Sequence, residues 1–341
     1  MMLEPSRAGG APRTGISVLL AFIALSLTWG SSFFFIKISV AGLSPMQLVC
    51  ARLVLGALTL NLIMLATGRR WPRDLALLRH MAVVGFLLCL LPLVLFAWAA
   101  NYIPSGLSSI YNATTPLMTM AIGLAMLPAE RMSPLRSLGI VVGAIGILVV
   151  LAPWKLFSQL DEVSGTGWAQ LACLLGTASY GLAFTYLRRY VTGRHHHDSV
   201  TLASVQVTLA AAMMVIISPL FITEAVQLDT RIVLSVLSLG ILASGIAYIW
   251  NTLIVERWGA TPASTVTYIS PLVGVLLGIL ILDERLTWNQ PTGAVIVILG
   301  ILLSQGLIGP PRRTPAPVRD TGVTARTSPP EYNQIDITTK R

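Results

Sequence analysis

Apolar residues in this chain come in long unbroken runs, separated by short polar loops. They neither alternate nor follow a one-sided 3.6-residue stripe. Ten runs are read: Val18–Val40, Met46–Ala66, His80–Ala100, Ser105–Leu127, Ser137–Leu151, Trp168–Leu187, Ser199–Ile222, Ile232–Leu253, Ala260–Leu282 and Gln290–Leu307. Most reach about 20 residues, the length a helix needs to cross a bilayer core of about 30 Å. Runs that are apolar on every side predict helices rather than the alternating strands of a barrel. The expected fold class is an all-α integral membrane protein with ten transmembrane helices. Residues 309–341, rich in Pro, Thr and Arg, cannot bury a core and are expected to be a disordered tail.

The chain says nearly the same thing twice. Ser105-Gly-Leu-Ser-Ser, Thr114-Thr-Pro116, Glu130-Arg-Met132 and the Gly139 to Gly146 stretch come first. Gly259-Ala-Thr-Pro-Ala-Ser264, Tyr268-Ile-Ser-Pro271, Asp283-Glu-Arg-Leu286 and the Gly293 to Gly300 stretch follow in the same order, about 155 residues later. Trp29-Gly30 matches Tyr180-Gly181, and Arg52 falls opposite Gln206. Each half holds five spans, an odd number, so the second half enters the membrane facing the opposite way. The expected organisation is a cytoplasmic N-terminal segment (1–17), a first repeat (18–151), an extracytoplasmic connecting loop (152–167), a second repeat (168–308) and a cytoplasmic tail (309–341). Such inverted repeats recur in secondary transporters, with substrate bound near the midplane between the halves.

Charge fixes the expected orientation. Alternate loops carry Arg7 and Arg13, then Arg69, Arg70, Arg73 and Arg79, then Arg131 and Arg136, then Arg188, Arg189 and Arg194, then Arg257. The opposite loops carry only Lys155, Arg231 and Arg285. This asymmetry places both termini in the cytoplasm of an inner-membrane protein. The first run is too long for a cleaved signal peptide and continues into a second span. Composition agrees: 55% of residues are hydrophobic and 11% charged, against roughly 25% charged in soluble proteins. The net charge of +9 sits in loops without interleaved aromatics, which argues against nucleic acid. Cys50, Cys89 and Cys173 lie in separate apolar runs, with neither disulfide nor metal-ligand spacing. No cofactor is expected; the expected partners are a small-molecule substrate and the lipid bilayer. Monomer and homodimer both remain open.

Together these motifs resemble the EamA-type transporters of the drug/metabolite transporter superfamily. The elements are Trp29-Gly-Ser-Ser-Phe33 with Lys37, Ala51-Arg-Leu53, Ser105-Gly-Leu with Thr115-Pro-Leu117, Glu130-Arg-Met132, and their second-half counterparts. The resemblance covers residues 18–307. It departs at Leu127-Pro-Ala-Glu130, where one extra residue precedes Glu130. It implies a five-plus-five inverted fold and small-metabolite transport, often export of amino acids or related compounds.

Arg52 is the sharpest chemical signal. It lies about 10 Å below the end of its span by helix rise, and a charge at that depth usually faces a cavity or the bundle interior. A guanidinium there suits a carboxylate; the plainer reading is an arginine that bonds carbonyls near Pro116 or at a helix end. Lys37 is close enough to its helix end to snorkel. Tyr111, Asn112 and Thr115 in the fourth span, Thr267 and Tyr268 in the ninth, Tyr248 and Asn251 in the eighth, Trp98 in the third and Gln206 in the seventh form a candidate substrate-lining layer. The alternative is helix–helix glue. Trp29 and Tyr180 occupy matched mid-span positions that suit stacking or packing. Pro116 and Pro271 are the expected kinks, each leaving a carbonyl without its helical donor. The Gly139, Gly143, Gly146 spacing and Gly293, Gly300 predict a close helix contact, within or between protomers.

No metal site is expected: His195-His-His197 reads as a solvated loop. Glu130-Arg131 and Glu284-Arg285 read as helix caps or local ion pairs. No Asp or Glu falls well inside a span, so neutral, zwitterionic or anionic substrates are favoured. The rival readings are efflux of drugs or lipophilic compounds, and a membrane-embedded enzyme. The missing carboxylates oppose the first, and the lack of H-E-x-x-H, G-x-S-x-G or Walker glycine motifs opposes the second.

Overall fold

The computed structural model describes residues 13–126, 134–152, 165–192, 194, 197–221, 223–258 and 266–305. The sequence features at Glu130 to Met132, Gly259 to Ser264 and His195-His196, and the expected tail, lie outside the described residues.

Among the described residues the protein is all-helical. The helices are α1 (Arg13–Ser39), α2 (Pro45–Ala66), α3 (Leu75–Ala99), α4 (105–126), α5 (Pro134–Leu151), α6 (Gly165–Tyr190), α7 (Ser199–Ile217), α8 (230–258), α9 (Val266–Leu282) and α10 (Asn289–Ser304). Five stretches, in α1, α2, α3, α7 and α8, are long and apolar enough to cross a bilayer on their own. α6 is as long but less apolar. Its buried face is built from small and polar residues, among them Gly176, Thr177, Ser179, Gly181 and Thr185, which suits an interior helix.

Several boundaries differ from those read in the sequence, for local reasons. α3 starts earlier than His80 because the Asp74 carboxylate accepts from the Ala76 N–H and caps it. α7 ends at Ile217 in a short 3-10 turn around Pro219. The fourth run is broken into Ser105–Asn112 and Thr115–Met126. Pro116 has no N–H for the Asn112 carbonyl, and the Thr115 hydroxyl donates to that carbonyl instead at 2.7 Å. Pro271, its repeat counterpart, lies inside a helix that continues past it.

The halves interdigitate. α1 packs on α8 and α9, and α6 packs on α3 and α4. α2 packs on α8, α7 packs on α3, α2 meets α7, and α5 meets α10. Exchanging α1–α5 for α6–α10 returns the same pairs, as a two-fold relation between repeats requires. The self-paired helices run antiparallel: Gly139 lies against Gly300 and Ser304, and Gly146 against Gly293 and Val297. In α2 and α7, Gln47 reaches the Phe221 carbonyl while Asn61 reaches the Thr208 hydroxyl. The repeats are therefore inverted, and the two halves fold as one unit.

Glycine makes this approach possible. The Gly30 Cα faces Val273 and the Ser270 carbonyl on α9, and Gly181 faces Met118 and Thr119 on α4, the same contact once in each half. The α5 and α10 glycines resolve the sequence alternative: they pack within one chain.

At the arginine-rich end, Asp198 joins the halves. It caps α7 by accepting from the Thr201 N–H at 2.7 Å and also accepts from the Arg69 guanidinium. Partial burial pushes its carboxyl up, but the hydrogen bonds from Arg69 and Thr201 outweigh this and hold it below the usual value of 3.8.

Two stability outcomes follow from this packing. A side chain at Gly146 meets the Val297 amide and the Gly293 carbonyl, whereas nothing lies near Gly167. Gly146→Val is expected to cost about 1–3 kcal/mol and Gly167→Ala to leave the melting midpoint of detergent-solubilised protein unchanged. Asp198→Ala is expected to cost about 1 kcal/mol near neutral pH. Because folding lowers this carboxyl's pKa, its contribution is present above the ordinary carboxylate range and is lost as pH falls through the folded value. Wild type and Asp198→Ala should therefore converge in strongly acidic buffer, read from paired melting curves.

Candidate functional site

Arg52 sits where α2 meets α8, 7% exposed. Its Nε donates to the Ser244 hydroxyl at 2.9 Å, across the two halves. Among the described residues no acceptor takes its two terminal nitrogens, and neither is sealed off from accessible space. Tyr180, Tyr248 and Cys89 lie near enough to feel its charge. It bonds neither the carbonyls near Pro116 nor a helix end.

Further aromatic rings pack on the two tyrosines beside this guanidinium. Trp29 meets Tyr248 edge-on at 6.5 Å. Tyr180 stacks on Phe96 at 6.3 Å, and Phe96 meets Phe33 edge-on at 5.2 Å. Trp29, Tyr180 and Tyr248 are each only partly buried although they lie within the bundle.

The backbone beneath is unusual on both sides. Gly85–Leu90 in α3 and Ser238–Ile246 in α8 are π-helical, and they coincide at the repeat offset. Such segments displace the regular carbonyl partners and are frequent at functional sites. The first helix of each half supplies replacements: Ser179 donates to the Leu87 carbonyl at 2.7 Å, and Trp29 to the Ala243 carbonyl at 3.3 Å. Cys89 and Ser244 occupy equivalent places in the two π segments and both stand beside Arg52.

The remaining sequence candidates divide. Gln206 is buried on α7, its carbonyl against Gly85 at the start of the α3 π segment. Asn251 lies half-buried on α8, one turn past Tyr248. Tyr111 is fully buried and donates to the Gln170 side chain at 3.1 Å, while Thr114 donates to Thr177 at 3.2 Å. Asn112 and Thr115 lie at the break in α4, and the bonds of Tyr111, Thr114 and Thr115 form a polar seam on the α4 side facing α6. Trp98 packs on Tyr102 at 4.9 Å, at the end of α3. Thr267 and Tyr268 start α9, where Tyr268 packs against Leu117, Val297 and Ile301 and its hydroxyl is buried with no partner among the described residues. The structure thus brings together Arg52, Trp29, Tyr180 and Tyr248 and gives Trp98, Tyr111 and Tyr268 other immediate partners.

Lys37 does not snorkel. It donates to the Ala100 and Ile103 carbonyls at 2.5 and 3.1 Å, closing the end of α3. Glu284 is a cap, as its position suggested, but of a helix in the other half: α4. The sequence reading passed over Ser244, Cys89 and Phe96. The repeat offset held the signal for the first two.

An all-α bundle of inverted five-helix repeats around a polar, aromatic-lined centre defines a membrane transporter architecture. The sequence model of the EamA-like transporter family matches residues 16–152 and 167–305. The chain belongs to that family. It is 24% identical to the uncharacterized transporter YoaV of Bacillus subtilis, over 85% of this chain and 97% of that one. It is 26% identical to a probable amino-acid metabolite efflux pump of Escherichia coli K12, over 86% and 94%. The uncharacterized inner membrane transporter YedA of the same organism is 26% identical over 83% and 89%. A crystal structure superimposes with a TM-score of 0.57 at 18% identity, over 85% of this chain and 98% of that one, which supports the fold.

Ser244→Ala leaves the Arg52 Nε without its acceptor. The expected loss is about 1–3 kcal/mol, read as a lower melting midpoint, with Ser244→Thr retaining most of it.

Proposed function

We propose that this transporter exports small metabolites, amino acids or related zwitterionic or anionic compounds, by alternating access around Arg52. The observation that carries the reading is the guanidinium itself: held at Nε from the opposite half, its outer fork unengaged by any described residue, it matches a carboxylate bidentately. Tyr180, Tyr248 and Trp29 supply apolar faces for the rest of the substrate. The described carboxylates occupy loops and helix ends, which favours facilitated movement over a proton relay through the site. The similarity to a probable amino-acid metabolite efflux pump points the same way. Both termini are cytoplasmic in this reading, by the arginine asymmetry of the loops.

The test is efflux of a labelled amino-acid mixture from proteoliposomes, with and without a pH gradient. Arg52→Gln is expected to lower flux about tenfold or more, and Arg52→Lys less, since it keeps charge but not the fork. Wild-type flux in purified Arg52→Gln would remove the assigned role. Flux that follows the gradient would move the coupling to a protonatable group.

A further inference from the structure

The first turn of α4 lacks a cap of its own. Pro104 occupies the N-cap position and offers no side-chain acceptor. Glu284, from the α9–α10 hairpin of the other half, supplies it: its carboxylate accepts from the Ser105 N–H at 2.7 Å, the Ser105 hydroxyl at 3.0 Å and the Gly106 N–H at 3.0 Å. Three donors at a helix N-terminus, two of them backbone amides, suit an anion.

The hairpin is shaped to deliver this side chain. Asp283 takes a left-handed backbone, φ +52°, at the end of α9. The Glu284 N–H then closes back on the Gly278 carbonyl, six residues earlier, at 3.0 Å, which turns the chain at the end of α9. A Cβ at position 278 would fall on the Glu284 carboxylate and 3.0 Å from the Ser105 hydroxyl, so a side chain there displaces the carboxylate and glycine leaves it room. Lys37 on α1, close enough to interact with Glu284, pins the adjoining α3–α4 loop. The other charged groups of the hairpin, Asp283 and Arg285, are exposed.

Further into the bundle the same three helices are packed backbone to backbone. Gly274 of α9 lies against Ser109 of α4 and the Gly30 carbonyl of α1, next to Trp29. By helix rise this contact lies about as deep as Arg52, and the arginine-poor end of the trio is tied by Glu284.

We propose that Glu284 is the clasp that holds the arginine-poor end of the bundle shut, and that its release from α4 opens the Arg52 site to that side. The proposal rests on the transport reading for what is uncovered, but its test needs no substrate. Cys89, 4% exposed and beside Arg52, is a native reporter. With Cys50 and Cys173 replaced by serine, it is the sole thiol of a chain that has three. Intact cells are treated with a membrane-impermeant maleimide, and labelling at Cys89 is read by peptide mass spectrometry. Glu284→Gln and Glu284→Ala are expected to label about tenfold faster than the Glu284 parent. Unchanged rates in correctly inserted protein overturn the clasp, as does labelling that rises only when the reagent enters from the arginine-rich side. A second arm replaces the tie by a covalent one, Ser105→Cys with Gly278→Cys. Oxidation should block Cys89 labelling and reduction restore it; labelling that persists in the oxidised protein overturns the proposal. Loss of amino-acid flux in Arg52→Gln with this labelling pattern intact would leave the clasp standing and concern the site alone.

Discussion

Helices in a bilayer gain nothing from hiding apolar side chains from one another, because lipid is equally apolar. They associate through close packing and polar contact. In this protein the close packing is glycine against backbone, and it occurs chiefly between the halves: Gly30 on α9, Gly181 on α4, Gly139 and Gly146 on α10. The first and last helices of each half pack mainly on the other half. The repeats therefore cannot be two domains side by side, and the side chains around Arg52 come from helices of both.

That constraint accounts for the site. Where α2 leans on α8 and α7 on α3, Gly56 meets Ser244 and Gly85 meets the Gln206 carbonyl. The helices that make these approaches, α3 and α8, are π-helical there. Their displaced carbonyls would be costly in a membrane interior. Ser179 and Trp29 reach across to satisfy them. Both belong to the first helix of a half, so one set of contacts positions the aromatic ring, steadies the π segment and places Cys89 or Ser244 beside Arg52.

Much of this was legible in the sequence because membrane helices announce themselves by length and repeats by offset. The glycine pairs, Arg52 and the Trp29/Tyr180 match were readable for that reason. What escaped depended on register and on contacts between distant segments. Hydropathy does not distinguish a π turn from an α turn, so the wider turns at Gly85 and Ser238 left no trace. Lys37 was read from its distance to a helix end, and its turn inward depends on carbonyls at Ala100 and Ile103 that only the fold brings near. Tyr268 has the composition of a lining residue, yet its position on α9 directs it towards α5 and α10. Glu284 was recognisable as a cap but not as the cap of α4, because its target lies across the two-fold relation.

The two-fold relation holds for the backbone and fails in the side chains around Arg52. Arg52 faces Gln206 across the exchange, Cys89 corresponds to Ser244, and Trp29 to Tyr180. A perfectly repeated centre would present two equal half-sites, each with the same charge, and two guanidiniums at that depth would repel. Keeping one guanidinium and making its counterpart a neutral amide leaves a single positive pole. Under the proposed function, a carboxylate then binds in one orientation, with the rest of the substrate against Tyr180, Tyr248 and Trp29. On that reading the scaffold would exchange its halves between open ends, and the unlike side chains at Arg52 and Gln206 would keep the bound molecule's orientation defined throughout.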